Sequence, residues 1–225
     1  MKQIQNELKR LNQLITDVSN ASRLDAELAR QQMGPVDVTN VVTSVAQIFR
    51  DILSGDTRRV EIAVETAAFE GAYLVNGHDG RLGQVLTNLV DNAVSFSPED
   101  EAVTVTVRRV GPIVEMTVDD QGPGIPADRL TIVFDRFYTD RPDTEAIRGK
   151  NSGLGLSISR EIVRAHGGEI TAENKTAVEG AAERPKGARF VVRLPGLVAS
   201  ARSGVTSGRR PLTSDRYHDP LRERG

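Results

Sequence analysis

Carboxamide side chains recur at regular spacing between residues 84 and 92. Gln84, Asn88 and Asn92 stand four residues apart, so on a helix they fall on one line, separate from the apolar positions of the same segment. A carboxamide oxygen is a hard ligand suited to Mg²⁺, which keeps several waters and takes further oxygens from phosphates. Such a polar line is also typical of a helix face that only meets water, and the spacing leaves both interpretations open.

A carboxylate and two glycines follow an apolar run in the stretch Asp119-Asp120-Gln121-Gly122-Pro123-Gly124-Ile125. A carboxylate at the end of a buried strand accepts hydrogen bonds, and the adenine amino group is a donor, so Asp120 is a candidate for reading that base. Gly122 and Gly124 allow positive φ angles and a close approach of the backbone to a ligand. Turns that combine Asp with Gly are common, so this stretch alone is a weak signal.

Glycines also begin a predicted helix in the stretch Gly149-Lys-Asn-Ser-Gly153-Leu154-Gly155-Leu156. Exposed backbone N–H groups and the positive end of the helix dipole together bind phosphate at such a start. The stretch is not a Walker loop, because no Gly-Lys-Ser/Thr closes it, and it is not a dinucleotide fingerprint, because no parallel strand precedes it.

Two amphipathic helices are predicted upstream of these stretches. Residues 2–32 carry apolar positions at alternating spacings of four and three, which is typical of a bundle or coiled-coil helix. We interpret this segment as half of a helical hairpin in a dimeric bundle; the alternative is a helix lying on its own globular domain. Gly34-Pro35 is expected to end it. Asp37 is a plausible N-cap for the second helix, which ends near Ser54-Gly55 and is predicted to bury Val38, Val41, Val42, Val45, Ile48, Phe49 and Ile52.

The rest of the chain alternates strands with helices. Residues 60–64 read as a strand with a hairpin partner at 72–75, and a helix follows from Asp79 to Ser95. A second hairpin joins residues 103–107 to 113–118 at Gly111-Pro112. Beyond a long loop to residue 152, a helix stops at Gly167-Gly168, and strands at 169–172 and 188–194 flank another loop. Hairpins with helices inserted between them indicate an α+β two-layer sandwich.

Composition restricts the function classes. The 225 residues are 38% hydrophobic and 27% charged, which fits one main soluble domain with a helical extension. A net charge of −2 does not favour nucleic acid or an anionic membrane as partner. The absence of cysteine excludes disulfides, thiolate chemistry and cysteine-ligated zinc. No apolar run approaches the roughly 20 residues that span a bilayer, so we expect no membrane contact from this chain.

The order of the stretches is more specific than any one of them. An Asn-bearing helix, Asp-x-Gly-x-Gly, a lid and Gly-x-Gly at a helix start resemble the ATP-binding domain of sensor histidine kinases and of the gyrase, chaperone and mismatch-repair ATPases, the Bergerat fold. The resemblance implies an ATP-binding domain at 34–195, preceded at 1–33 by the second helix of a dimerisation bundle. The segment 196–225 is rich in Gly, Ser and Arg with few apolar residues, and this composition predicts a disordered tail. Residues 20–28 are similar to alphaproteobacterial kinases that sense envelope stress or acid.

The resemblance also implies roles for single residues and the cofactors ATP and Mg²⁺. Asn88 and Asn92 match the N box, whose asparagines hold Mg²⁺. The first glycine box, in which the Asp binds adenine, corresponds to Asp120, Gly122 and Gly124. The F box of the lid corresponds to Phe134-Asp-Arg136-Phe137, and the second glycine box to Gly153, Leu154 and Gly155.

Two departures from the family pattern bear on activity. Ser95 and Phe96 stand where many kinases carry Lys-Tyr; Phe96 can still stack near adenine, but a phosphate-binding cation is then expected from Arg136, Arg148 or Lys150. Nothing resembles the phosphoacceptor motif either. His78-Asp79 is followed by Gly80 at a strand-to-helix turn, His166 reads as a helix C-terminal residue and His218 lies in the tail. We therefore expect the acceptor histidine upstream of this chain, with membrane spans further back.

The residue at the position of the general base favours a kinase over a hydrolase. In the hydrolytic relatives and the serine-kinase anti-sigma factors a Glu four residues before the metal Asn acts as general base, and Asn88 stands there in this chain. An amide has no useful basicity, whereas a neutral imidazole acceptor already presents a lone pair. Catalytic roles are predicted for Asn88 and Arg136.

The partners implied are ATP, the acceptor-histidine domain of the parent kinase, a response-regulator receiver domain and a second copy of the parent protein, on the cytoplasmic side of the membrane. The alternatives are a nucleotide-binding, dimerising module without kinase activity of its own, and an ATP-hydrolysing relative.

Overall fold

The computed structural model describes residues 33–55, 57–65, 69–138, 153–179 and 182–197. The predicted bundle helix at 2–32, residues 139–152 of the predicted lid and the predicted tail from residue 198 onwards lie outside them. The helices of the described part are α1 (Val38–Ile52), α2 (Asp79–Phe96) and α3 (Gly155–Ala165). The strands are β1 (Gly34–Asp37), β2 (Arg59–Val64), β3 (Leu74–Gly77), β4 (Ala102–Val110), β5 (Ile113–Asp119), β6 (Glu169–Glu179) and β7 (Ala182–Pro195).

The helices form close to their predicted bounds. Asp37 caps α1 as predicted, because its carboxylate accepts a hydrogen bond from the Thr39 N–H at 2.9 Å. The prediction that Ile48 and Ile52 are buried is wrong, since their side chains are 53% and 64% exposed. Ile48 lies beside the buried stripe of α1 and Ile52 lies at its C-terminal end, whereas Phe49 between them is buried.

Five strands form one mixed sheet in the order β2-β4-β5-β7-β6. The hairpins β4–β5 and β6–β7 are antiparallel as predicted, but β2 runs parallel to β4. The predicted hairpin of residues 60–64 with 72–75 is therefore wrong: β3 pairs instead with β1 in a separate two-stranded sheet. A parallel pair needs a crossover, and β3 with α2 supplies it between β2 and β4.

Two strand predictions also differ in extent. Gly34-Pro35 was expected only to end a helix, but it begins strand β1. A strand of four residues is too short to show an alternating apolar pattern, so it was not predicted. The loop expected between residues 172 and 188 is instead the continuation of β6 to Glu179 and of β7 from Ala182. These outer ends contain charged residues rather than an alternating apolar pattern, which is why the sequence pattern misses them.

The sheet separates an apolar layer from a charged one. Apolar residues of the helices and of one sheet face form a single core. On the other face Glu115 of β5 is 4% exposed and accepts hydrogen bonds from Arg108 at 2.6 Å and Arg193 at 2.8 Å. The fold is an α+β two-layer sandwich, as predicted. No helix among the described residues is long and apolar enough to cross a membrane.

Candidate functional site

The three segments predicted to carry chemistry meet at one cleft, which lies between α2, the loop after β5, the start of α3 and β7. It encloses about 810 Å³, counting its solvent-open mouth. Its wall is mostly apolar with a few polar groups, as is typical of small-molecule sites. The lining residues are Asn92, Phe96, Asp120, Pro123, Gly124, Ile125, Pro126, Val133, Tyr138, Gly153, Leu156, Ala188 and Phe190.

Asp120 supplies a buried carboxyl group to this cleft, and only 2% of the residue's surface is exposed. Its Oδ1 accepts hydrogen bonds from the N–H groups of Gly122 and Ala188, both at 2.8 Å. Burial raises the pKa of the Asp120 carboxyl above its ordinary value, while these two hydrogen bonds and the nearby Lys175 act in the opposite direction. Among the described residues none donates to Oδ2, so this oxygen can accept from a ligand.

The two glycines of the first glycine box serve different purposes. Gly124 has a φ of +80°, as predicted for a residue that must adopt the left-handed region. Gly122 is needed for close packing instead. A Cβ at this position would lie 2.9 Å from the Phe96 carbonyl oxygen and 3.1 Å from Asp120 Oδ1. The loop is thereby held against the end of α2, where Phe96 lines the cleft.

The three aligned carboxamide side chains of α2 lie in three different surroundings. Asn92 lines the cleft, whereas Asn88 points to α3, where its Nδ2 donates to the Gly155 carbonyl oxygen at 3.0 Å and to Ser159 Oγ at 3.2 Å. Gln84 accepts a hydrogen bond from Arg81 at 3.1 Å. Because the Gly155 oxygen only accepts, it fixes which end of the Asn88 amide is nitrogen and leaves Oδ1 for another partner.

The donor set fits Mg²⁺ only in combination with a nucleotide. In the described parts of the chain no group of three or more His, Cys, Asp or Glu residues could hold a metal ion. Asn88 Oδ1 and the Asn92 amide, one helical turn apart, are the candidate protein ligands. Two amide oxygens suit a metal that completes its shell with phosphate oxygens and water.

The start of α3 is open towards the cleft. No side chain of a described residue caps this helix, so its first N–H groups are candidates for the predicted phosphate contact. Gly153 has a φ of +71° and lines the cleft, and a Cβ there would lie 2.7 Å from the Tyr138 carbonyl oxygen. The Leu154 side chain is buried in the core, so only its main chain could meet a ligand.

The F box packs on α3 rather than projecting into the cleft. Phe134 is buried edge-on to Phe190, with ring centroids 6.1 Å apart. Arg136 forms an ion pair with Glu161 of α3 and is not among the residues that line the cleft. The other predicted lid cations, Arg148 and Lys150, lie outside the described residues.

His166 ends α3 as predicted, and both of its ring nitrogens are engaged inside the domain. Nε2 accepts a hydrogen bond from the His78 N–H at 3.1 Å, and Nδ1 lies 2.7 Å from the Ile162 carbonyl oxygen. Only a neutral ring with its hydrogen on Nδ1 satisfies both contacts. Burial lowers the pKa of His166 below its ordinary value.

Several residues around the site were missed from the sequence. Asn174 and Lys175 of β6 form hydrogen bonds with the first glycine loop. Gly187 has a φ of +103° and lies so close to Asp120 that a Cβ there would be 2.1 Å from the Asp120 carbonyl oxygen. A lone Gly within a strand signals such a close approach and could have been found. The Tyr138 hydroxyl is the one buried side-chain polar atom without a partner among the described residues.

Comparison with known proteins agrees with this geometry. The family described as "Histidine kinase-, DNA gyrase B-, and HSP90-like ATPase" matches residues 77–197. Sensor protein ChvG of Agrobacterium fabrum is 44% identical over 196 residues, which cover 84% of this chain and 32% of ChvG. This match fits the alphaproteobacterial type expected from residues 20–28. The chain spans about a third of the length of the curated relatives it matches.

Solved structures show the same fold. The mycobacterial sensor histidine kinase MprB is 32% identical with a TM-score of 0.59, covering 73% of this chain and 97% of that one. Full-length ShkA, solved in complex with AMPPNP, is 27% identical with a TM-score of 0.67, covering 86% of this chain and 37% of that one. The chain therefore belongs to the ATPase-domain family that histidine kinases share with DNA gyrase B and HSP90, and its relatives are sensor histidine kinases.

Proposed function

We propose that this chain binds Mg-ATP in the cleft and transfers the γ-phosphoryl group to a histidine on a dimerisation domain outside the chain. From that histidine the group passes to the receiver domain of a response regulator. Residues 1–33 contribute one helix of the bundle through which two parent proteins pair. The domain works on the cytoplasmic side of the membrane, where ATP is available.

The observation that carries this proposal is the arrangement around Asp120. Its Oδ1 is held by two backbone N–H groups, and its Oδ2 is left as an acceptor in a mostly apolar cleft. An adenine amino group is a donor of matching character, and Phe96 offers a ring for the base to stack on. ShkA, a relative with the same fold, has been solved with the ATP analogue AMPPNP.

The phosphates are expected at the other end of the cleft. The uncapped start of α3 and the glycines at 153 and 155 supply N–H groups, and Asn88 and Asn92 stand beside them on α2. Asn88 and Asn92 would hold Mg²⁺, which would supply neutralisation of charge on the phosphate oxygens. Lys150 and Arg136 are the proposed lid cations. The side chains of the Arg136–Glu161 pair are 55% and 30% exposed, and ion pairs at the surface contribute up to about 1 kcal/mol, so a phosphate can compete for Arg136.

The transfer needs no general base from this chain. The unprotonated nitrogen of the acceptor imidazole attacks the γ-phosphorus in line, the bond to the β,γ-bridging oxygen breaks, and ADP leaves. Asn88 occupies the position at which hydrolytic relatives carry the Glu base. It donates its amide hydrogens to Gly155 and Ser159, so it orients α3 and cannot take a proton from water.

The decisive experiment mixes this chain with a separate helical-bundle fragment that carries the acceptor histidine, in the presence of Mg²⁺ and γ-labelled ATP. The proposal expects acid-labile label on the fragment, lost when the acceptor histidine is replaced or when Asp120→Asn is used. Nucleotide binding without any label on the fragment would instead support the binding-module alternative. Steady phosphate release without an acceptor would support the ATP-hydrolysing alternative.

A further inference from the structure

The loop that carries Asp120 is tied at its far end to a single side chain of β6. The Ile125 N–H donates to Asn174 Oδ1 at 2.7 Å, and Asn174 Nδ2 donates to the Ile125 carbonyl oxygen, also at 2.7 Å. One carboxamide therefore satisfies both main-chain polar groups of a residue that belongs to no strand or helix. Asn174 thus takes the place of a neighbouring strand for Ile125.

The strand pattern explains how a polar side chain reaches this loop. Ile170, Ala172 and Asn174 alternate along β6 on the side of the sheet that faces the core. Ile170 and Ala172 pack into the core, but at Asn174 the strand has passed the core and meets the loop. Directly afterwards the register with β7 shifts, so that Lys186 and Gly187 oppose Lys175 alone.

This bulge brings further contacts onto the same loop. Lys175 Nζ donates to the Asp120 carbonyl oxygen at 2.9 Å, and the Asp120 N–H donates to the Ala188 carbonyl oxygen at 3.0 Å. The hairpin β6–β7 thus holds the loop at its first residue, Asp120, and at its last, Ile125. Both of these residues line the cleft, and Gly124 between them has a positive φ that would be free to change without such ties.

We propose that Asn174 is a positioning residue for nucleotide binding: it fixes Ile125 in the wall of the cleft and so orders the first glycine loop before the nucleotide arrives. The inference rests on the proposed function, since it assumes that ATP occupies the cleft. Ordering the loop in advance removes an entropy cost from binding. Loss of Asn174 should consequently weaken ATP binding while leaving the transfer step itself intact.

The test compares Asn174→Ala with Glu169→Ala, a control on the same strand with an exposed side chain. In Asn174→Ala the ATP Kd and the KM for ATP in transfer to the acceptor fragment should rise about tenfold, with kcat unchanged. Amide hydrogen exchange of nucleotide-free protein should become at least about tenfold faster at Ile125 and stay the same in α2. Glu169→Ala should match the parent chain in all of these measurements.

The outcomes separate this inference from the proposed function. An unchanged ATP Kd in Asn174→Ala, with ATP bound by the parent chain, overturns the positioning role and leaves the kinase proposal standing. Equal acceleration of exchange at Ile125 and throughout α2 also overturns it, because Asn174 would then only support general stability. If the parent chain binds no ATP, the proposed function fails and the nucleotide role of Asn174 fails with it. Faster exchange confined to Ile125 would then show only that the tie exists.

Discussion

Asn88 of α2 donates a hydrogen bond to the carbonyl oxygen of Gly155, the first residue of α3, over 3.0 Å. The helix that carries the proposed metal ligands and the helix whose start is proposed to bind phosphate are therefore joined inside the site. This bond links α2 to the start of α3 before any ligand binds. A second bond from the same nitrogen to Ser159 Oγ, at 3.2 Å, strengthens the link.

The two asparagines should consequently differ when replaced. Asn92→Ala is expected to abolish the Mg²⁺ dependence of ATP binding with little change in Tm, because the Asn92 side chain lines the cleft. Asn88→Ala should lose the Mg²⁺ dependence and also about 1 to 2 kcal/mol of folding stability, since two hydrogen bonds are lost, one of them to the buried Ser159. ATP titrations at several Mg²⁺ concentrations and urea unfolding measure the two effects. ATP affinity unaltered by Asn92→Ala at every Mg²⁺ concentration would count against the metal assignment.

Asp120→Asn is expected to change base selection without unfolding the domain. The Asn oxygen can replace Oδ1 and keep the N–H donors of Gly122 and Ala188, while an NH₂ group takes the place of Oδ2. A donor then faces the adenine amino group, and ATP affinity should fall about tenfold to a hundredfold while GTP loses less. Because burial raises the pKa of the carboxyl, the neutral amide should not lower the Tm at pH 7. Equal losses for all purine nucleotides would contradict base reading by Asp120.

Gly187 should tolerate no side chain. Gly187→Ala adds a methyl group 2.1 Å from the Asp120 carbonyl oxygen at a φ of +103°, so the loop must move and ATP affinity should fall together with Tm. Gly55→Ala is the matched control, because its φ is +94° but nothing lies within 4 Å of the added atom. That variant should lose about 1 to 2 kcal/mol of stability and keep its ATP affinity. A loss of affinity common to both variants would show that backbone strain alone is responsible.

Stability should fall as the pH drops below about 6.5, the ordinary pKa of histidine. The folded-state pKa of His166 is lowered, so the folded protein binds fewer protons than the unfolded chain across this window, and unfolding becomes easier on acidification. The contribution is present above the unfolded pKa and is lost as the pH falls through the lower folded-state value. His166→Gln should be less stable at pH 7.5, with a flatter pH dependence between 7.5 and 5.5. Tm measurements across this range test it, and parallel curves for the two proteins would contradict the assignment.

Local patterns predicted the helices and the chemical stretches because each is encoded within a few neighbouring residues. Asp37 before an apolar stripe and the glycines at 153 and 155 are signals of that kind. Strand pairing is not local: nothing near residues 60–64 indicates that they run parallel to β4, and nothing in Gly34-Pro35 indicates a strand that pairs with β3.

The contacts that hold the site were hidden for the same reason. Asn174 is 49 positions from Ile125, and Gly187 is far from Asp120 in the sequence, so neither contact has a signature in a short window. The residue types were informative only after the register of β6 and β7 was known. Sequence therefore predicted candidate residues of which Asn92, Asp120 and Gly153 line one cleft, and the structure was needed for the residues that support them.

The Phe137 N–H donates to the Gly153 carbonyl oxygen at 3.0 Å, so a hydrogen bond joins the residues on either side of the segment 138–152. The 15 residues between them therefore begin and end at neighbouring points of the domain. Doubling such a loop costs only about 0.6 kcal/mol in closure entropy. An insertion between residues 139 and 152 should therefore cost the domain little stability.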